Sequence, residues 1–244
     1  MLLPSLSAAE RFVTNESNGF VWIQQGKAYP ILVDSREDKG VVRAVANLQT
    51  DAGKVTGITP EIIYSVAGNR MLIIGSIENS SWIKQLLKAG KINAADLQGK
   101  REKYILQMVK KPMEGVEEAV VIAGSDKRGT IYGIYELSQQ MGVSPWYFWA
   151  DVPVEKHDII SIKEGIYTDG EPAVKYRGIF LNDEWPCLGN WAGDTFGGFN
   201  SKFYETVFEL VLRLKGNFMW PAMWNSAFYD DDPMNGPLAD EMGI

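Results

Sequence analysis

Cysteine and histidine are almost absent from the 244-residue sequence, which contains only Cys187 and His157. An internal disulfide is therefore impossible, and a zinc site built from several Cys and His ligands is excluded. A Ser-His-Asp triad could use only His157, which lies in the polar segment VEKHDII and is not expected to be catalytic. We expect neither a metal nor a cofactor.

Long apolar runs and clusters of basic residues are also missing. The longest apolar runs have the length of a strand, and none reaches the roughly 20 residues that span a bilayer. The 24 Lys and Arg residues form no run, and 31 Asp and Glu residues outnumber them to give a net charge of −7. The sequence therefore predicts neither membrane insertion nor nucleic-acid binding.

Segments typical of strands and helices alternate through about residue 145. Apolar spacings of three and four in DKGVVRAVANLQTDAGKVTG predict a helix that ends at Gly57. A second helix is predicted in SSWIKQLLKAG, capped by Ser80 or Ser81, and a third in RGTIYGIYELSQQMGV. The predicted strands lie in FVWIQQGKAYPILVD, EIIYSVAG, MLIIGSI, KYILQMV and EAVVIAGSD. This alternation indicates an α/β domain with a mixed sheet, which we assign to residues 1–170.

A βαβ unit is predicted in residues 171–244. KYRGIFLND and NFMW are its strands, and SKFYETVFELVLRLK is its helix, capped by Asn200 or Ser201 and ended by Gly216. A connection of this kind makes the two strands parallel. Two parallel strands leave edge groups unpaired, so the unit either docks on the first domain or starts a (β/α)8 barrel that is incomplete in this chain. We expect the incomplete barrel.

Polar and aromatic side chains follow both strands of this unit. Asn182, Asp183 and Glu184 leave the first strand, and Trp220 and Trp224 leave the second. Ligands of parallel α/β folds bind at the carboxyl ends of strands, so these side chains are expected to share one rim. Indole rings can cover the apolar face of a sugar while carboxylates and amides bind its hydroxyls. The alternative is a capped loop whose tryptophans belong to the core.

The dipeptide Asp183-Glu184 is not by itself the acid–base pair of a glycosidase. Such carboxyl groups flank one bond, roughly 5–5.5 Å apart in retaining enzymes and roughly 6.5–9.5 Å apart in inverting enzymes. Sequence neighbours that leave a strand point to opposite sides, so at most one of them faces the pocket. The second carboxylate must come from another strand.

Two further motifs have less specific patterns. GSDKRGT at 124–130 has the glycine spacing of a phosphate loop but lacks the Lys before Thr130, so a strand-to-helix turn with Asp126 near the helix start is expected. Asp230, Asp231 and Asp232 could collect a hard cation, but consecutive carboxylates rarely converge on one ion. A solvated acidic loop is the preferred interpretation.

Four long segments closely resemble glycoside hydrolase family 115: GSDKRGTIYGIYELSQQMGVSPWYFWADVPV, YRGIFLNDEWP, FNSKFYETVFELVLRLKGNFMWPAMW and DDDPMNGPLADEMGI. The match runs from about residue 27 to the end. Family members are inverting α-glucuronidases that remove (4-O-methyl-)glucuronic acid from xylan. The resemblance implies that an α/β domain is followed by the first two units of a (β/α)8 barrel, with the rest of the barrel, a helical domain and a β-sandwich domain beyond this chain.

The resemblance also implies roles for residues at the rim. Asp183 in FLNDE matches a pocket residue that contacts the sugar, and Trp220 matches the rim after the second strand. Asn182, Glu184 and Trp224 are the further substrate-binding candidates. The acid and base are expected beyond Ile244, so this chain alone is expected to be inactive. The implied substrate is glucuronoxylan or its oligosaccharides, and two copies of the larger protein are expected to pair.

Some features of the sequence have more than one interpretation. Arg177 and Lys202 are local candidates to bind the glucuronate carboxylate. The start MLLPSLSAAE suits either the remnant of a secretory signal, which predicts a periplasmic or secreted protein, or an ordinary N-terminus. Two other functions compete with the enzyme: a non-catalytic carbohydrate-binding module that uses tryptophans at 146–149 and 185–224, and a structural α/β domain whose tail after residue 170 is dispensable.

Overall fold

The computed structural model describes residues 11–182 and 186–244, which form three sheets and seven α-helices. The strands are β1 (Val13–Thr14), β2 (Phe20–Gln24), β3 (Lys27–Ala28), β4 (Ile31–Val33), β5 (Ile62–Ile63), β6 (Arg70–Ser76), β7 (Tyr104–Met113), β8 (Val116–Gly124), β9 (Ile160–Ile162), β10 (Ile166–Tyr167), β11 (Gly178–Phe180) and β12 (Phe218–Trp220). The helices are α1 (Lys39–Thr56), α2 (Ser81–Lys88), α3 (Lys127–Gln140), α4 (Cys187–Phe196), α5 (Ser201–Arg213), α6 (Phe228–Asp231) and α7 (Asn235–Met242).

The predicted mixed sheet is confirmed. Six strands lie in the order β10-β7-β8-β6-β4-β5, where β5, β4, β6 and β8 are parallel and β7 is antiparallel to both of its neighbours. The prediction of a full strand in EIIYSVAG is wrong, because only Ile62–Ile63 pairs at the sheet edge. Beyond it, Tyr64 and Val66 are exposed, and none of the strands within residues 11–182 and 186–244 pairs with them.

A second sheet joins distant parts of the chain. Its order is β1-β9-β2-β3, and β9 pairs antiparallel with both β1 and β2. Residues 160–162 therefore hold the described start of the chain. Phe12, which precedes β1, joins Phe20, Trp22 and Ile162 of this sheet in the same buried cluster as α1 and α3.

Most predicted helix ends are confirmed by their caps. Gly57 takes the left-handed conformation after α1, the Ser80 hydroxyl accepts the Ile83 N–H at 3.3 Å, and Asn200 accepts two amide protons at the start of α5. The predicted end of α5 needs correction. The left-handed residue is Lys215 (φ 58°), and Gly216 follows it, donating its N–H to the Val211 carbonyl at 2.7 Å.

Helix α4 was not predicted from the sequence. Its segment CLGNWAGDTF contains two glycines and an asparagine, which have low helix propensity. Tertiary packing stabilises it instead, because Ala192 is buried and the rings of Trp191 and Phe196 contact Phe203 of α5. A helix held by its neighbours leaves little local signal in the sequence.

Residues 171–244 dock on the preceding α/β unit. Helix α5 packs against α3, and α7 packs against both α1 and α5. The close approach of α7 to α1 requires Gly40, where a Cβ would overlap the carbonyl oxygen of Glu241. Docking was one of the two alternatives for the βαβ unit. The boundary at residue 170 stays a prediction.

None of the helices in the described ranges combines the length and apolar character that a bilayer span requires.

Asp34 links the end of β4 to the start of α2 and makes stability depend on pH. Its carboxylate accepts the Ser81 N–H at 2.7 Å and the Arg36 N–H at 2.9 Å. Burial raises the pKa of Asp34, but the hydrogen bonds from Arg36 and Ser81 outweigh it and hold the pKa well below its ordinary value. A lowered folded-state pKa stabilises the fold above the unfolded pKa and loses that contribution as the pH falls below about 4.

We expect Asp34→Asn to lower the free energy of unfolding by about 1.5–3 kcal/mol at pH 7, because hydrogen bonds to a charged group are lost. Urea unfolding at pH 7 and pH 3 measures this, and the difference from the parent should shrink at pH 3. Glu78→Gln is a suitable surface control. A difference that stays constant with pH would contradict the role of the ionised Asp34 carboxylate.

Candidate functional site

The candidate site lies at the carboxyl ends of β11 and β12. These strands pair in parallel with Gly178 opposite Phe218 and Phe180 opposite Trp220. Pairing continues past the strands, since the Leu181 N–H donates to the Trp220 carbonyl at 2.8 Å. The predicted parallel pairing is therefore confirmed, and residues that follow the two strands share one rim.

Glycine is required where β11 begins. A Cβ at Gly178 would overlap the carbonyl oxygen of Phe218 across the strand pair. No other residue fits this register without moving one strand. The sequence YRGIF thus fixes how β11 meets β12.

The strand pair presents an aromatic face to solvent. Phe180, Phe218 and Trp220 are exposed, while Ile179 and Met219 pack on the buried cluster. The rings of Phe180 and Trp220 meet edge to face with centroids 5.5 Å apart. This alternation follows from the two-residue period of a strand. It places apolar ring surface directly beneath the rim.

Three of the five predicted substrate-binding residues lie in described positions. Trp220 is 53% exposed at the end of β12, Trp224 is 68% exposed four residues later, and Asn182 is exposed two residues after β11. The structure brings Asn182 and Trp220 to adjacent strand ends. Asp183 and Glu184 lie outside the described residues, as does Trp185.

The described rim residues do not include a carboxylate that could transfer a proton. Residues 181, 182 and 220–226 are amide, hydroxyl or apolar side chains, with no carboxylate among them. The exposed indoles offer flat apolar surface, and Asn182 offers an amide donor and acceptor. This composition suits a saccharide, whose rings have both apolar faces and hydroxyl edges.

Arg177 does not lie at the rim, although it was a candidate to bind a sugar carboxylate. It precedes β11, at the opposite end of the strand. Its guanidinium donates to the Glu102 carboxylate at 2.7 Å, to the Lys215 carbonyl at 2.9 Å and to the Val174 carbonyl at 2.8 Å. These partners occupy its donors, so Arg177 holds the fold together. Lys202 is exposed in the first turn of α5.

Glu102 is the residue that sequence reasoning missed. Its side chain is fully buried and forms ion pairs with Arg128 and Arg177, both at 2.7 Å. It also accepts the side-chain amide of Asn217 at 2.7 Å. Burial and the charge of Glu102 raise the pKa of the adjacent Tyr132, which therefore remains a neutral donor. Nothing in the local sequence REKY indicates a carboxylate with three partners.

The glycine-rich turn at 124–130 is a structural turn, as expected. Asp126 caps α3 by accepting the Gly129 N–H at 2.7 Å. The Lys127 ammonium donates to the Asp240 carbonyl at 2.9 Å, and Arg128 donates to the Gly243 carbonyl at 3.3 Å. Both cations therefore bind the last turn of α7.

Two of the three consecutive aspartates contact separate groups. The Asp231 carboxylate accepts the Ala227 N–H at 2.8 Å, and Asp232 accepts the Ser201 N–H at 2.8 Å. The hydrogen bonds from the Ser201 and Met234 N–H groups lower the pKa of Asp232. Throughout residues 11–182 and 186–244, no three Cys, His, Asp or Glu side chains converge on a point that could hold a metal ion. His157 contacts the Asn15 amide and Glu155.

Comparison with known proteins identifies the family. Residues 169–244 match the model of glycosyl hydrolase family 115. A solved family 115 4-O-methyl-α-glucuronidase with specificity for decorated arabinogalactans is 33% identical with a TM-score of 0.79, over 92% of this chain. The chain belongs to glycosyl hydrolase family 115. This family 115 sequence of 244 residues spans 29% of the length of that solved enzyme.

More distant solved structures also align with this chain. Flavobacterium johnsoniae chitobiase is 10% identical with a TM-score of 0.49, over 96% of this chain and 32% of its own length. A Streptomyces plicatus β-hexosaminidase variant is 14% identical with a TM-score of 0.47, over 83% of this chain and 31% of its own length. No curated protein sequence matches significantly.

Proposed function

We propose that these residues belong to a glycoside hydrolase that removes α-linked (4-O-methyl-)glucuronic acid side chains from a plant polysaccharide with inversion. The observation that carries this proposal is the 33% identity, over 92% of this chain, to a 4-O-methyl-α-glucuronidase. The parallel strand ends with their exposed indoles support it, because they form a rim suited to a sugar.

Within this proposal, residues 1–170 form the N-terminal α/β domain and residues 171–244 begin a (β/α)8 barrel. Asp183, Trp220, Asn182, Glu184 and Trp224 bind the saccharide. An inverting mechanism needs two carboxyl groups roughly 6.5–9.5 Å apart on either side of the scissile bond. Residues 181, 182 and 220–226 have none. We propose that the acid and the base are residues outside these 244 and that this portion alone is inactive.

The substrate we propose is glucuronoxylan or its oligosaccharides. The structural neighbour is specific for decorated arabinogalactans, so activity on that polymer should be compared with activity on glucuronoxylan. Polymers of this size are met outside the cytoplasm, which supports a periplasmic or secreted location. We also propose that the larger protein forms a homodimer, which sedimentation of the complete gene product would test.

Trp220→Ala tests the saccharide site directly. We expect a glucuronoxylo-oligosaccharide bearing one 4-O-methylglucuronate to bind the 244-residue chain at least tenfold more weakly after this substitution. That loss corresponds to about 1.4 kcal/mol of stacking. Isothermal titration measures the affinity, and circular dichroism checks that the fold is unchanged.

The matched control is Trp146→Ala, which removes another exposed indole from the turn at 144–150. It should leave the affinity unchanged. Loss of binding with both Trp146→Ala and Trp220→Ala would favour the alternative function, a non-catalytic module that uses tryptophans at 146–149 and 185–224. Loss with Trp146→Ala alone would contradict a saccharide site at the rim. Release of glucuronic acid from glucuronoxylan by the 244-residue chain alone would contradict the assignment of the acid and base to other residues.

A further inference from the structure

Glu102 contacts the amino-terminal ends of both rim-bearing strands. One carboxylate oxygen accepts the Asn217 side-chain amide at 2.7 Å, and the other accepts the Arg177 guanidinium at 2.7 Å. Arg177 immediately precedes β11, and Asn217 immediately precedes β12. One buried carboxylate from the α/β unit is therefore shared by the two strands at the same level.

The contacts around Glu102 fix the register of the strands. The Asn217 side-chain oxygen accepts the Arg177 N–H at 3.0 Å, and the Arg177 carbonyl accepts the Asn217 N–H at 2.8 Å. A slip of one residue would turn Phe180 and Trp220 from the rim face to the core face, since side chains alternate along a strand. It would also separate Arg177 or Asn217 from the carboxylate.

The position of Glu102 is itself held rigidly. Its N–H donates to the Asp126 carboxylate at 2.7 Å, and Arg128 forms an ion pair with its side chain. Its backbone has φ 53°, a left-handed conformation that glycine adopts more easily. A non-glycine residue in this conformation costs free energy. Glycine would avoid that cost, but it would lack the carboxylate that binds Arg177 and Asn217.

We propose that Glu102 is a positioning residue of the saccharide site, setting where Trp220 and Asn182 stand at the rim. Trp220 lies three residues after Asn217, and Phe180 lies three residues after Arg177. Three residues of extended strand span about 10 Å, so the positions of Arg177 and Asn217 determine where the side chains at the rim lie. The inference deepens the proposed function and rests on it for the identity of the ligand, while its claim about register is independent of any ligand.

The first test is ligand-free hydrogen exchange on Glu102→Gln, which keeps the shape of the side chain and removes its charge. We expect the amides of residues 179–181, including the Leu181 N–H bound to Trp220, to exchange at least tenfold faster, while those of α1 are unchanged. Glu171→Gln, an exposed carboxylate bound to Lys100 and Arg101, is the matched control and should change neither. Unchanged exchange in β11 would overturn the proposal.

The second test separates positioning from a general loss of stability. At a temperature where all variants are folded, Glu102→Gln should weaken oligosaccharide binding at least tenfold in the parent and have little further effect in a Trp220→Ala background. Equal losses in both backgrounds would show a merely structural role and overturn the proposal. If Glu102→Gln does not fold, Asn217→Ala leaves the ion pairs in place and should give the same pattern.

The two proposals fail in distinguishable ways. Absence of saccharide binding by the parent chain would count against the proposed function, and the exchange of residues 179–181 would still decide on Glu102. Tight parent binding with unchanged β11 exchange in Glu102→Gln would leave the function standing and remove Glu102 from it.

Discussion

A chain shortened to residue 170 is expected to lose its cooperative thermal transition and to bind a hydrophobic dye. Helix α5 contributes six buried side chains to the cluster that contains α1 and α3: Phe203, Tyr204, Val207, Phe208, Val211 and Leu212. Burial of one large apolar side chain stabilises by about 1.5–3 kcal/mol. The sum for α5 is comparable to the whole stability of a domain, about 5–15 kcal/mol.

Circular dichroism melts and dye fluorescence of the shortened chain measure this effect. Two substitutions in the 244-residue chain calibrate it: Phe203→Ala should cost about 3–5 kcal/mol, and Lys202→Ala, on the exposed side of α5, should cost almost nothing. A shortened chain that melts cooperatively at the parent temperature would favour the alternative of a structural domain with a dispensable tail.

Replacing Arg213 with methionine is expected to lower the free energy of unfolding by about 3–5 kcal/mol, because the buried Asp51 carboxylate loses its closer cation and keeps Lys54 at 3.5 Å. The side chains of Arg213 and Asp51 are 2% and 1% exposed, and they form an ion pair at 2.8 Å. Arg213 also pairs with Glu209 at 2.7 Å and lies over the Tyr135 ring at 4.5 Å. Burial lowers the pKa of Arg213, but the charges of Asp51 and Glu209 outweigh it, so the pKa is raised and Arg213 stays charged.

Denaturant unfolding of Arg213→Met, Asp51→Ala and the double variant measures the coupling. The double variant should recover part of the loss, because no buried charge remains without a partner. Lys100→Met removes a half-exposed pair with Glu171 and should cost about 0–1 kcal/mol. A cost below 1 kcal/mol for Arg213→Met would contradict this role, because Lys54 or water would then replace the arginine at Asp51.

The elements predicted correctly are those whose signal is local. Helix α1 has apolar residues at spacings of three and four and ends at Gly57, and α5 has the same pattern after Asn200. The strands predicted in KYILQMV and EAVVIAGSD are present as β7 and β8. The parallel pairing of β11 and β12 followed from the predicted crossover through α5. In each case the sequence near the element contains the reason for it.

The features that were missed depend on partners far away in the sequence. Arg177 contacts Glu102 across 75 positions, and Lys127 contacts the Asp240 carbonyl across 113. A cation in a sequence shows its charge but not the group that it binds, so Arg177 was a candidate to bind a sugar carboxylate, and the contact of Lys127 with α7 was not predicted. Helix α4 was not predicted for the same reason, because contacts with neighbouring rings stabilise a segment of low helix propensity.

The contacts of Arg43 have a consequence for synthesis of the protein. Its guanidinium pairs with Glu205, 162 positions later, and with Glu241, 198 positions later. At about 5–20 residues per second, a ribosome needs roughly 10–40 s to reach the second of these partners. During that interval the part of α1 that packs against α7 has no cover, so a chaperone that shields it should raise the yield of folded protein.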